Sequence, residues 1–204
     1  MAEKLASSFK NILFSLLLIT AVTAGILGVV YKYTQQPIEQ KKSEKKEKAI
    51  KEVLPSYDNI VEEKLAIASV AEKNIFKKEM AADSMTIYKA YKGEELVGIA
   101  AETFSDKGFG GRIFLMAGFL PDGTIYKINV LSHSETPGLG SKMTDPGFYQ
   151  QFENKNPQNF KLTVKKDGGD VDAITAATIS SRAYCDAVDK AYNIISNIGG
   201  QNNE

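Results

Sequence analysis

Residues 86–132 read TIYKAYKGEELVGIAAETFSDKGFGGRIFLMAGFLPDGTIYKINVLS, and this stretch decides the fold. Thr86 to Tyr91 alternates apolar and polar side chains as a strand does, and Lys92, Gly93 and Glu94 supply a turn. Leu96 to Phe104 is a second strand and Arg112 to Leu120 a third; Pro121, Asp122 and Gly123 turn the chain into a fourth, Thr124 to Ser132. Strands joined by connections this short run antiparallel, because a parallel pair needs a long crossover. Working outward, Asp145 followed by Pro146 predicts a helix N-cap with proline at the first helical position, opening a short helix through Phe152. Ile179, Ala183, Ala187 and Ala191 recur at helical spacing beside Tyr184, Val188, Tyr192 and Ile195. They form the apolar stripe of an amphipathic helix that Gly199 and Gly200 end. On the N-terminal side, Val61 to Met80 reads as partly helical. The class is α+β, a mainly antiparallel sheet flanked by helices.

Farther upstream, Asn11 to Tyr31 reads NILFSLLLITAVTAGILGVVY, with no charged residue between Lys10 and Lys32. About 20 such residues at roughly 1.5 Å each match the ~30 Å hydrocarbon core of a bilayer. The run continues past the small residues Thr23, Ala24 and Gly25 to Val30, longer than a signal-peptide core, so a retained single-pass anchor is expected. Lys4 and Lys10 precede it, while Lys32, Lys41, Lys42, Lys45, Lys46 and Lys48 follow; a lysine count alone places the C-terminal domain in the cytoplasm. Pro37 to Val53, PIEQKKSEKKEKAIKEV, predicts a charged helix with proline at its start. This is a solvated stalk whose end (Ala49, Ile50, Val53 and Leu54) docks on the domain before Pro55 stops it. The expected organisation is a tail and anchor over 1–32, the stalk over 33–55, the domain over 56–198 and a tail over 199–204.

The 204 residues carry 25 basic and 25 acidic side chains, so nothing in the overall charge points to nucleic acid. One cysteine, Cys185, cannot form an internal disulfide or hold an iron–sulfur cluster, and one histidine, His133, is too little for a His-rich metal site. Three segments have the composition of a binding site. Asp172-Ala173-Ile174-Thr175-Ala176-Ala177-Thr178-Ile179-Ser180-Ser181 leads into the final helix. A helix start presents unpaired N–H groups and a partial positive charge suited to phosphate, and small residues at 176 and 177 permit close approach. On spacing alone, a threonine acting as a plain helix cap explains this segment better. Gly108-Phe109-Gly110-Gly111 permits a tight turn or close backbone approach to a ligand, but an ordinary hairpin loop explains it as well, so alone it is weak evidence. His133-Ser134-Glu135-Thr136-Pro137-Gly138-Leu139-Gly140 leaves a strand with polar groups and enters a Pro/Gly loop, the kind of place where binding groups concentrate.

With these segments in this order, the whole chain resembles the G subunit of the Rnf complex, a membrane-bound, ion-pumping ferredoxin–NAD oxidoreductase. It is also similar to the C subunit of the sodium-pumping NADH–quinone reductase. The stretch Ser132 to Gly140, with its Glu-Thr-Pro-Gly-Leu-Gly, and the sequence Thr175-Ala176-Ala177-Thr178 carry the resemblance. In the latter, Ala176 stands where the family pattern has glycine, a difference of one methyl group; the modest length favours the Rnf protein. The resemblance implies an FMN-binding domain with FMN esterified through its phosphate to Thr178 by a separate flavin transferase. Thr175, Ala176, Ala177 and Ile179 would surround the phosphate, and Glu135, Thr136, Gly138 and Leu139 would neighbour the ring. It implies partnership with the membrane and redox subunits of the complex, and a domain on the non-cytoplasmic face, against the lysine count. Two other classes stay open: a membrane-anchored assembly module without flavin, and a free-standing flavin reductase. Few arginines, among them Arg112 and Arg182, are present to clamp a soluble substrate, which argues for a relay.

Overall fold

The computed structural model describes residues 9–66 and 84–199, which divide into two compact units between Glu44 and Lys45. Helix α1, Phe9–Val53, holds an 18-residue window of mean hydropathy 2.5, long and apolar enough to cross a membrane. Its large apolar side chains from Phe9 to Ile38 are exposed. Proline at 37 was expected to begin a helix. It lies inside α1 instead: the missing N–H removes one rung of the ladder, and the helix continues through it.

Five strands form one antiparallel meander in sequence order: β1 Asn59–Ala66, β2 Ser84–Lys92, β3 Glu95–Gly108, β4 Gly111–Phe119 and β5 Ile125–Ser132. The helical reading of the start of Val61 to Met80 is corrected by β1, which pairs with β2 from Asn59↔Tyr91 to Ala66↔Ser84. Its Glu, Lys, Leu and Ala favour helix locally, but pairing along an open sheet edge overrides a weak propensity. The rest of that reading, residues 67–80, lies outside the described residues. The turn at Lys92-Gly93-Glu94 is present, with Gly93 at φ +62°.

Helix α2, Pro146–Tyr149, runs into a 3₁₀ turn ending at Phe152. Asp145 makes no side-chain cap; its carbonyl accepts the N–H groups of Phe148 (2.9 Å) and Tyr149 (3.2 Å). Helix α3, Thr178–Gly199, lies on one face of the sheet. Ala183, Ala187 and Ala191 are fully buried, and small side chains there let the helix come close to β3 and β4. The buried Thr103 hydroxyl donates to the Ala187 carbonyl at 2.8 Å, fixing the helix along β3. An ionic cluster does the same nearby: Asp186 accepts from Ser105 Oγ (2.7 Å), Lys107 Nζ (2.7 Å) and Lys190 Nζ (2.8 Å).

The opposite face is covered by the end of α1. Ala49, Ile50, Val53 and Leu54 pack on Tyr88, Ala90, Ala100 and Met116, as their spacing predicted. The approach needs glycine in β4: a Cβ on Gly118 would fall 1.7 Å from the Val53 carbonyl oxygen. The sheet is therefore a middle layer, apolar on both sides, with α3 on one and residues 45–54 on the other.

Candidate functional site

The turn before α3 is built from its own backbone. Ala177 N–H bonds the Ile174 carbonyl at 2.9 Å, closing a four-residue turn with Thr175 and Ala176 at its corners. Ala176 has φ +61°, at the corner where turns of this kind call for glycine. The substitution noted in the sequence thus places a methyl group on a left-handed backbone, which costs an L-residue about 1–2 kcal/mol. Ser181 ties the turn to the helix: its Oγ accepts the Ile174 N–H (2.9 Å) and donates to the Ala177 carbonyl (3.0 Å). Helical bonding begins at Ser181 N–H to the Ala177 carbonyl, so the amides of Thr178, Ile179 and Ser180 belong to the unpaired first turn. Thr178 is the first residue of the helix; among the described residues its hydroxyl makes no hydrogen bond.

Glu135 connects this helix start to the rest of the site. It is buried, at 5 % exposure, and its two oxygens are bonded to different elements. One accepts the Gly110 N–H at 3.0 Å, at the tip of the β3–β4 hairpin; the other accepts the Ser180 hydroxyl at 2.5 Å, in the first turn of α3. His133 orients it: Nδ1 accepts the backbone N–H of Glu135 at 3.2 Å, which gives the lone histidine a structural task. The surrounding glycines are required by space. A Cβ on Gly140 would lie 2.4 Å from Ser180 Oγ and 2.6 Å from Glu135 Oε2; one on Gly110 would lie 2.0 Å from the Ser134 carbonyl oxygen. Gly138, at φ +74°, turns the loop and donates to Ser141 Oγ at 2.9 Å.

These elements enclose a cavity of about 340 Å³. Of the sequence-predicted residues, Glu135, Thr136, Leu139, Ala176, Ala177, Thr178 and Ile179 line it, whereas Thr175 and Gly138 do not. Phe109, Gly140 and Ser180 line it as well. Phe109 was noted only as part of a glycine loop; the signal in the sequence was a large aromatic residue between glycines, but its exposure is a property of the fold. The lining contains no lysine or arginine, and its one ionisable group, Glu135, is bonded within the protein. A larger cleft of about 550 Å³ borders Lys107, Lys161 and Arg182, and each of these cations has a protein partner: Asp186, the Gly168 carbonyl and Asp167.

The residues fit a flavin nucleotide in kind: an unbonded hydroxyl and first-turn amides for a phosphate, and apolar side chains beside them for a ring. A helix-backed antiparallel domain with such a cavity defines the class: residues 108–193 match the FMN-binding domain family. The G subunit of the ion-translocating oxidoreductase complex of Methanosarcina acetivorans is 34% identical over 196 residues, 94% of this chain and 96% of that protein. Its counterpart in Erwinia tasmaniensis is 31% identical over 195 residues, 92% and 90% of the two chains. The chain belongs to this family of G subunits. Among solved structures, that of Shewanella oneidensis NqrC aligns with a TM-score of 0.49 at 24% identity, covering 64% of this chain and 66% of that one.

Proposed function

We propose that this chain is the flavin-carrying electron relay of a membrane-bound, ion-pumping ferredoxin–NAD oxidoreductase, with FMN joined through its phosphate to Thr178. The observation that carries the reading is the Thr178 hydroxyl, unbonded in the wall of the cavity while Ser180 and Ser181 beside it are committed to Glu135 and to the turn. The missing cations point the same way. A free phosphate in this cavity would be held by helix-end amides with no arginine or lysine from the lining, a modest attraction. An ester keeps the cofactor on a surface open to dilution and lowers the phosphate charge.

The bound flavin supplies one- and two-electron chemistry, which lets it link one-electron centres in neighbouring subunits. The chain does the holding. Thr178 provides the ester oxygen, and Thr175, Ala176, Ala177 and Ile179 shape its surroundings. Thr136, Gly138 and Leu139 form the facing loop, with Glu135 keeping that loop, the hairpin tip and α3 in register. A flavin transferase would make the ester, the Thr178 hydroxyl losing its proton as its oxygen displaces a leaving group from an activated FMN phosphate, and other membrane and redox subunits would give and take the electrons. The domain sits on the non-cytoplasmic face of the cell membrane, against the lysine count, with α1 as the single span.

The test is Thr178→Ala in a host that supplies the transferase. The wild-type chain is expected to fluoresce as a flavoprotein in a denaturing gel and to show the added flavin in its intact mass. The variant is expected to be dark and equally well folded. A fluorescent Thr178→Ala band would move the attachment elsewhere.

A further inference from the structure

Among the described residues from Lys45 onward, four large apolar side chains are exposed: Val61, Phe109, Leu139 and Ile179. Three of these four line the cavity at Thr178. They come from three separate elements: the β3–β4 hairpin tip, the loop after β5 and the first turn of α3. Scattered exposed apolar residues need no explanation, but a cluster around one concave site does.

Phe109 is the most open of the three, at 69 % exposure, against 41 % for Leu139 and 47 % for Ile179. Its backbone nevertheless has little freedom. Gly108 pairs with Gly111, and a Cβ on Gly108 would lie 2.2 Å from the Gly111 carbonyl oxygen and 2.6 Å from Glu135 Oε1. Gly110 donates to Glu135 and lies flush against the Ser134 carbonyl. The two glycines flanking Phe109 are thus seated against the loop that walls the cavity, and they present the phenyl group to its mouth.

We propose that Phe109 is a ring-contact residue, holding the isoalloxazine of a flavin tethered at Thr178 against Leu139 and Ile179; this rests on the attachment proposed above. An aromatic side chain suits a planar conjugated ring, and a rigid support costs little ordering entropy when the ring settles on it.

The chain contains no tryptophan, and no tyrosine lines the cavity, so an indole introduced at the contact is a clean reporter. Indoles in contact with an excited flavin quench it by electron donation, and distant ones do not. The full chain, loaded by the transferase and purified in detergent, is compared as wild type, Phe109→Trp and Val61→Trp. Phe109→Trp is expected to lower the emission per attached flavin severalfold, with recovery on unfolding in urea, while Val61→Trp stays at the wild-type level. Equal emission from all three overturns the contact. Phe109→Ala covers a loss of loading by the bulkier variant: its attached flavin is expected to be quenched more strongly by iodide than the wild type, and equal quenching also overturns the proposal. A wild-type chain with no covalent flavin fails at the earlier step, the attachment, and removes this inference with it.

Discussion

At the scale of single residues, the turn before α3 has a visible flaw. Ala176 occupies a left-handed backbone position that glycine fills without steric cost. Ala176→Gly is therefore expected to raise stability by about 1 kcal/mol, with denaturant unfolding of the flavin-free chain as the measurement. A loss of stability would mean that the methyl group makes contacts outweighing its strain. This position also shows how far sequence reading reaches. In the Thr-Ala-Ala-Thr segment the small residues before a helix start were legible as room for a phosphate, but spacing alone favoured a plain helix cap, and only the resemblance to the Rnf family singled the segment out. The reason its second residue matters was not legible, because a sign of φ is set by the closing bond from Ala177 to Ile174. Phe109 escaped for a similar reason: composition cannot tell an aromatic at a hairpin tip from one folded inward.

At the scale of elements, α3 is fastened to β3 by an ionic cluster at the cavity's far neighbour, the larger cleft. Burial alone would push the Asp186 carboxyl up, but hydrogen bonds from Lys107, Lys190 and Ser105 outweigh it and hold the group below its ordinary value of 3.8. A carboxyl depressed on folding contributes stability that is fully present above the unfolded value and is lost as pH falls through the folded one. Acid titration should therefore weaken the α3–β3 attachment below about pH 4. The stability gap between wild type and Asp186→Asn, measured by thermal unfolding, is expected to be constant near neutrality and to shrink across that acid range. A gap independent of pH would show the cluster to be electrostatically idle. The strands behind this attachment were legible where alternation met tight turns. β1 was not, because an edge strand buries little and its residues favour helix locally.

For the whole molecule, the candidate membrane span was plain in the sequence and its sidedness was not. Lysines bias orientation, whereas the resemblance to the Rnf family implies the opposite face. Protease added to intact spheroplasts is expected to digest the domain; protection until lysis would return it to the cytoplasm. The arrangement also predicts what happens when Asn11–Tyr31 is deleted. That cut removes apolar residues exposed along α1 and spares everything from Lys45 onward. The remaining chain is expected to be soluble and, once loaded, chemically reducible, while ferredoxin-dependent reduction of NAD by membranes falls to background. Normal rates without rebinding of the fragment would show that anchored proximity is dispensable.

The last turns of α1 matter for anyone cutting the gene. A fragment beginning at Ser56 would look a natural choice, since α1 ends at Val53 and Pro55 follows it. Such a product would leave Tyr88, Ala90, Ala100 and Met116 without Ala49, Ile50, Val53 and Leu54 over them. It would display an apolar β-surface, open at Gly118 where the Val53 carbonyl had packed. Copies would cover one another, and a dimer or precipitate from that fragment would be an artefact of the primer. Starting at Lys45 keeps the lid with the box.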